Sequence, residues 1–338
     1  LTKVAFTGCA FGCSLSLGEG EQEFMSRLSL LFLCFLFCSE AIGASLNPYL
    51  IKAEAGDPDS QYEAGHYHYV RQEYTDALTW LRHAAGNGQA QAQNDLGRAY
   101  TGDFRFLVAV NYIEAEKWLL ASARQGYVKG QSNLGEFYER QGDYGKAALW
   151  YRLAAIEGDL NAKENLASLF LLGKGVEKNP TEAARLAREP AIAGFRDSQS
   201  LLGNAYLTGA GVPSNYVEAA NWNQAAAEQG DARAQYNLGL AYNHGKGVLQ
   251  NYKQSIKWLL KSSNQGFGPA LTMLSACYLE GRGVEKNVVL AHMYSNLAAY
   301  HRGDAWSLKS LSTVTDMLTP EQLVTSQKMA RKWLEAKE

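Results

Sequence analysis

The sequence predicts an all-α protein: a right-handed α-solenoid of about seven helix-hairpin repeats, closed by C-terminal capping helices. Three observations carry this expectation. A Trp recurs eight residues before a Gly, further columns keep fixed spacings from that Gly, and glycine-rich loops recur between the halves of the repeats. Length alone, 338 residues, suggests about two domains at roughly 150 residues each. A solenoid grows by stacking, so that division does not bind a repeat protein.

The columns run as follows. Trp80, Trp118, Trp150, Trp222 and Trp258, with Leu186 in one unit, precede Gly88, Gly126, Gly158, Gly230, Gly266 and Gly194 by eight residues. Units therefore start near 56, 88, 126, 158, 194, 230 and 266. Five residues after each Gly the chain carries Gln61, Gln93, Gln131, Lys163, Gln199, Gln235 and Leu271. Eight on lie Ala64 and then Leu96, Leu134, Leu166, Leu202, Leu238 and Leu274. Nine on the residue is always small, as at Gly65, Gly97, Gly135 and Ala167; twelve on it is aromatic or His, as at His68, Tyr100 and Tyr138. In the second half, Ala77, Ala115, Ala147, Ala183, Ala219, Ser255 and Ala291 stand three residues before the Trp column. Offsets of five, eight, nine and twelve share one helix face. Small residues there let a second helix approach, so each unit is a hairpin of an A and a B helix, satisfied only by its neighbours. The Trp and Tyr columns are expected to be core.

Four units carry Gly-x-Gly-Val, at Gly173–Val176, Gly209–Val212, Gly245–Val248 and Gly281–Val284. The first Gly suits a left-handed cap ending helix A. Asn179, Asn215, Asn251 and Asn287 follow each second Gly by four residues and suit the N-cap of helix B. Glu182, Glu218 and Gln254, three further on, suit the reciprocal half of a capping box, and Asn111 with Glu114 repeats the pair. None of these loops is a dinucleotide or Walker phosphate loop.

Ala234-Gln235-Tyr236-Asn237-Leu238-Gly239-Leu240-Ala241-Tyr242, then Gly-x-Gly-Val, Ala-x-x-Trp and a closing Gln229-Gly230-type pair, resemble the Sel1-like repeat family, a relative of the tetratricopeptide repeat. The resemblance spans residues 56–303. It implies an α-solenoid that binds proteins along its concave face. The first and third units lack Gly-x-Gly-Val, and the second carries an insertion from Thr101 to Val110 that includes Phe104, Phe106 and Leu107. That insertion reads as a strand-like filler packed on the next unit, or as an apolar binding loop.

Beyond Gly303 the repeat lapses. Thr319-Pro320-Glu321-Gln322 is an N-cap signature, and Leu323, Gln327, Ala330 and Leu334 follow at helical spacing. Residues 304–338 are therefore expected to cap the solenoid. At the other end, Met25-Ser26-Arg27, the apolar run Leu28–Cys38 and the small residues around Ala41 and Ala44 read as a secretory signal peptide over 25–44. Eleven apolar residues rise about 16 Å as a helix, short of the roughly 30 Å hydrocarbon core. Residues 1–24 are expected to lie upstream of the native start at Met25, and 45–55 to form a linker or cap.

Composition narrows the function. Removing 1–44 takes Lys3, Arg27, Glu19, Glu21, Glu23 and Glu40 from 32 basic and 34 acidic residues, leaving 30 of each. A neutral chain gives no electrostatic argument for nucleic acid. Cys9, Cys13, Cys34 and Cys38 leave with the signal; Cys277 alone remains and reads as a buried inert thiol. No nucleophile-elbow, Ser-x-x-Lys, zinc-protease or Cys-x-x-Cys motif occurs after residue 44. His66 and His68 point to different helix faces and supply too few convergent donors for zinc. No catalytic residue, metal or cofactor is expected.

The candidate contact surface is the set of helix-A positions at offsets six, ten and thirteen, which avoid the packed columns. These are Tyr62, His66, Tyr69, Asn94, Arg98, Thr101, Ser132, Glu136 and Glu139, then Ser200, Asn204, Tyr236 and Asn243. His66, Arg98 and Glu136 share one offset in adjacent units and lead the set. A polar-aromatic groove suits an extended peptide or protein partner. The expected function is a non-catalytic, monomeric interaction scaffold, periplasmic or secreted from a bacterium, in envelope signalling, assembly or host contact. The alternative is an envelope enzyme or binder of cell-wall fragments (peptidoglycan peptide, sugar or β-lactam), with Glu136 and Glu139 as its carboxylate pair.

Overall fold

A computed structural model describes residues 50–102 and 108–337. The expected signal peptide, the segment before it and Phe104, Phe106 and Leu107 of the insertion lie outside the described residues. The chain forms two compact units, the first ending at Val110 and the second running from Asn111. Where the sequence suggests one continuous solenoid, the division falls inside the second repeat, at its lengthened connection between helices A and B.

In the first unit a helical stretch at 50–54 precedes α1 (Pro58–Val70), α2 (Tyr74–Gly86) and α3 (Ala90–Thr101). The second unit holds α4 (Tyr112–Arg124), α5 (Val128–Arg140), α6 (Tyr144–Ile156), α7 (Leu160–Leu172), α8 (Pro180–Ile192) and α9 (Arg196–Thr208). It continues through α10 (Tyr216–Glu228), α11 (Ala232–His244), α12 (Tyr252–Ser263), α13 (Gly268–Glu280) and α14 (Val288–Arg302). Within each unit, successive helices pack on one another, and in the second α5 also meets α7 and α9 meets α11. This is the stacked helix-hairpin order of an all-α solenoid.

The core follows the columns. The offset-eight leucines and the Ala column of the B helices are all buried, Leu134, Leu274, Ala115 and Ala147 completely. Burying a leucine side chain contributes about 1.5–3 kcal/mol. The small offset-nine residues let helix B in: a Cβ on Gly135 would strike the Tyr151 ring, on Gly203 the Asn223 amide, and on Gly239 the Leu259 side chain. Ser275 meets Ser295 there through a 2.7 Å hydrogen bond. The core expectation for Trp and Tyr needs correction. Trp258 and Tyr138 are buried, but Trp80, Trp118, Trp150 and Trp222 are half-buried. The large side chain that B helices bury is the residue after the Trp, such as Leu119, Tyr151 or Leu259. An indole is too wide to lie between the paired helices. Trp258 instead lies against Ala226 and Ala227 of the preceding B helix, with Leu238 beneath it.

Both glycines of Gly-x-Gly-Val are structurally required. Gly173, Gly209, Gly245 and Gly281 end their helices in the left-handed region, at φ 70°, 75°, 67° and 78°. The second glycine lies on the preceding unit: a Cβ on Gly175, Gly211, Gly247 or Gly283 would collide with the backbone of Tyr144, Pro180, Tyr216 or Tyr252. Each of those is the first residue of a B helix. The Asn residues cap as expected, Asn179 accepting from the Glu182 amide and Asn215 from Val217 and Glu218. The reciprocal capping-box bond expected of Glu182 gives way to an ion pair, because its carboxylate accepts two bonds from Arg185 at 2.6 and 2.8 Å. Glu114 likewise turns to Lys117 and the Trp118 indole. The full box forms between Thr319 and Gln322.

The last two helices, α15 (Ala305–Thr315) and α16 (Pro320–Glu335), both pack on α14. Ala330, Trp333 and Leu334 close over a core containing Leu271, Leu274 and Leu297. His292, fully buried on α14, ties the cap together: Nε2 meets the Thr315 hydroxyl at 3.0 Å and Nδ1 the Ser326 hydroxyl at 2.5 Å.

Candidate functional site

The offset-six residues prove to be joints rather than open contact positions. The Ser132 hydroxyl donates to Asp159 at 3.1 Å and the Ser200 hydroxyl to Asp231 at 3.0 Å. Both aspartates are the N-caps of the next unit's helix A. Tyr236 fills the same role with its ring, 5.5 Å from that of Phe267. Tyr62 donates to Asp95 at 3.0 Å, and buried Asn94 donates to the same carboxylate. Glu164, at offset six but absent from the sequence-based set, accepts the Ser198 amide and hydroxyl at 2.9 and 2.8 Å. It thereby caps α9, whose own N-cap residue Phe195 makes no side-chain cap bond. A column of Ser, Glu and Tyr shows no periodic signal, so only the joint's geometry reveals it.

Offset thirteen is mixed. Asn243 is buried, contrary to the surface role expected of it, and the end of the following loop folds back to it: its carbonyl accepts from the Gln250 side chain at 2.9 Å. The Thr101 hydroxyl donates to the Arg98 carbonyl at 2.7 Å, closing the helix end. Glu139 accepts the Tyr151 hydroxyl at 2.8 Å, and burial, with that carboxylate second, raises the Tyr151 pKa well above its ordinary value. Glu136 pairs with Arg140 at 2.7 Å. Both carboxylates of the supposed catalytic pair are thus engaged by neighbours, an arrangement that serves packing rather than proton transfer.

Three of the sequence-predicted residues do converge. In the first unit Tyr62, His66 and Tyr69 line a cavity of about 210 Å³ with Gly65, Leu81 and Asp95. Successive turns of α1 bring the three rings to one face, and Gly65 lets helix B close beneath them, with the Ala77 carbonyl 3.3 Å from where its Cβ would stand. His66 is exposed and the two tyrosines half-buried. Arg98 and Asn204, at the same offset as His66 on their own helices, are half-buried.

His68 departs from the core role expected of the Tyr column. It is half-buried, and its Nδ1 meets Glu73 at 2.7 Å, while Arg71 holds the other Glu73 oxygen at 3.0 Å. His68 first and Arg71 second hold the Glu73 carboxyl below its ordinary pKa. Asp76 lies close enough to complete a three-donor group. Glu73 has both oxygens occupied by His68 and Arg71, a poor start for a metal ligand. Cys277 is buried as expected, and burial pushes its thiol pKa up.

Among the described residues no helix is long and apolar enough to cross a membrane. A family model described as Sel1 repeat matches residues 90–127, 128–159, 161–189, 196–231, 232–267 and 268–301. A solved Sel1 repeat protein from Oxalobacter formigenes is 29% identical, with a TM-score of 0.60 over 70% of this chain and 96% of its own. A protective antigen of uropathogenic Escherichia coli displaying an SLR fold is 21% identical over 86% of this chain and 94% of its own, with a TM-score of 0.35. No curated protein matches the chain.

Proposed function

The chain belongs to the Sel1 repeat family, whose members generally mediate protein–protein interaction, and we propose that it acts as a non-catalytic, exported scaffold of a bacterial envelope or its surroundings. The observation that carries this reading is the Tyr62–His66–Tyr69 cavity. Three aromatic rings around a small cavity floored by Ala77 and Leu81 can accept a side chain of an extended partner and hydrogen-bond its backbone. Arg98 occupies the corresponding offset on the next A helix of the same unit and extends the surface by the same logic, while Glu136 and Asn204 hold that offset within the second unit. Export rests on the signal-peptide pattern of residues 25–44, and a role in signalling, envelope assembly or host contact follows from such a compartment.

The test is capture from envelope extracts by the purified chain, compared with a variant carrying Tyr62→Ala and His66→Ala. We expect a defined partner set that the variant loses by at least about tenfold, the usual scale of a contact hot spot. Equal capture by both proteins would remove the A-helix face as the contact surface. Secretion of a fusion carrying residues 25–44, with cleavage near Ala41 or Ala44, checks the compartment.

A further inference from the structure

In the fourth unit a cleft of about 550 Å³ opens between α6, α7 and α8. It lies where other units place their tryptophan. In the sixth unit Trp258 packs on Ala227 of the preceding B helix and on Leu238 and Tyr242 of its own A helix. The equivalent residues of the fourth unit are Ala155, Leu166 and Phe170, and they line the cleft around Leu186, the residue that replaces the Trp. A leucine covers the floor but leaves the groove above it unfilled.

The charges around the cleft are unequal. Glu182 accepts two bonds from Arg185, and Glu189 pairs with Lys163 at 2.5 Å. Arg152 stacks its guanidinium 5.4 Å from the centre of the Phe170 ring and makes no ion pair among the described residues. A second cavity of about 420 Å³ shares Arg152, Phe170 and Asn179 and continues to Val176 and Lys178. Arg152 therefore stands between two adjoining hollows, an exposed cation over an aromatic ring. Arg185 occupies the position that Lys117 holds beside Trp118, where the ammonium lies 4.8 Å from the indole centre. An indole entering above Leu186 would meet a cation in the same place.

We propose that this cleft receives a tryptophan side chain from an acidic peptide segment of a partner protein. The indole takes the place of the missing repeat Trp, against Ala155, Leu166 and Leu186. A carboxylate next to it in sequence pairs with Arg152, and the peptide continues into the hollow at Val176. The site is separate from the Tyr62 cavity and is probed with different variants and a different ligand, so either reading can fail alone.

The probe is a blocked pentapeptide with a fluorinated Trp between two Asp residues, titrated into the full chain and followed by fluorine NMR. Peptides with Ala for Trp, or Lys for both Asp, serve as comparisons. We expect the acidic Trp peptide to bind at least about tenfold more tightly than either, a difference of about 1.4 kcal/mol. Leu186→Trp fills the cleft and is expected to lower that affinity at least about tenfold while raising Tm. Arg152→Glu, at an exposed position, is expected to reverse the preference toward the lysine peptide. It decides the matter even if Leu186→Trp does not fold. Equal affinity for the three peptides, unchanged binding to folded Leu186→Trp, or an unaltered preference in Arg152→Glu would overturn the proposal.

Discussion

The Gln265 side-chain amide donates to the side-chain oxygen of Gln235 and to the Gly230 carbonyl, both at 2.9 Å. Gln235 in turn donates to the Ala227 carbonyl at 3.1 Å. Gln229 repeats the device on Gln199 and Gly194, and Asn87 on Gln61 and Gly56. The column Gln thus satisfies the end of the preceding B helix while receiving the Gln-Gly corner of its own repeat. Removing a partner from a buried bond costs about 1–3 kcal/mol. Gln235→Ala is expected to cost about 2 kcal/mol and Gln265→Ala about 1 kcal/mol. The double variant should cost less than the sum, because the two share one bond. Denaturant midpoints read this directly, and strict additivity would deny the coupling.

The two glycines of one loop should respond differently to alanine. Gly245 at φ 67° has Gln250 beside its missing side chain, the Cβ at 3.2 Å and the backbone N at an ordinary 3.5 Å. Its substitution costs the left-handed penalty of about 1–2 kcal/mol. Gly247 at φ 76° carries the same penalty and also abuts the Tyr216 carbonyl. Gly247→Ala is expected to destabilise at least twice as much in thermal unfolding. Equal losses would mean that the second glycine does not seat the loop on its neighbour.

His292 makes the C-terminal cap sensitive to pH. Burial lowers its pKa below the ordinary histidine value. The unfolded chain therefore takes up a proton as the pH falls through about 6.5, where the native ring stays neutral. Stability is full above that value, declines as pH drops, and levels off below the lowered native pKa. Scans of Tm from about pH 8 to pH 5 should show the decline, and His292→Gln should flatten this part of the curve.

Cys277 should resist chemistry. It is buried, and desolvation keeps the thiol protonated at neutral pH. Aromatic disulfide reagents are expected to label it only at the rate of unfolding, with full reaction in denaturant. Rapid labelling of the native chain would show that the packing at α13 opens.

The helices, their caps and the Leu and Ala columns were legible because each obeys a period or a residue preference visible in one line of text. The offset-six joint was not, since Ser132, Glu164, Ser200 and Tyr236 serve it with unlike chemistry. The tryptophans misled in the opposite way: their identity repeats, while the deeper position beside them varies among Leu119, Tyr151 and Leu259. The division at Val110 depends on how an insertion of unusual length folds, which has no periodic signature. Of the candidate contact surface, helix offset placed Tyr62, His66 and Tyr69 on one face, where they line one cavity, and passed over the cleft at Leu186. The break in the Trp column was the available sign.

The glutamine corners make the repeats interchangeable cassettes. Excision of residues 230–265 would leave Gln229 holding Gly194 and Gln199, with the capped seventh unit moved down by one place. The fourth cassette lacks the device, since Lys163 stands in place of the column Gln and pairs with Glu189 inside the same unit. The length of this protein is editable at the sixth cassette, where each bond that crosses the cut has an equivalent donor waiting one unit back.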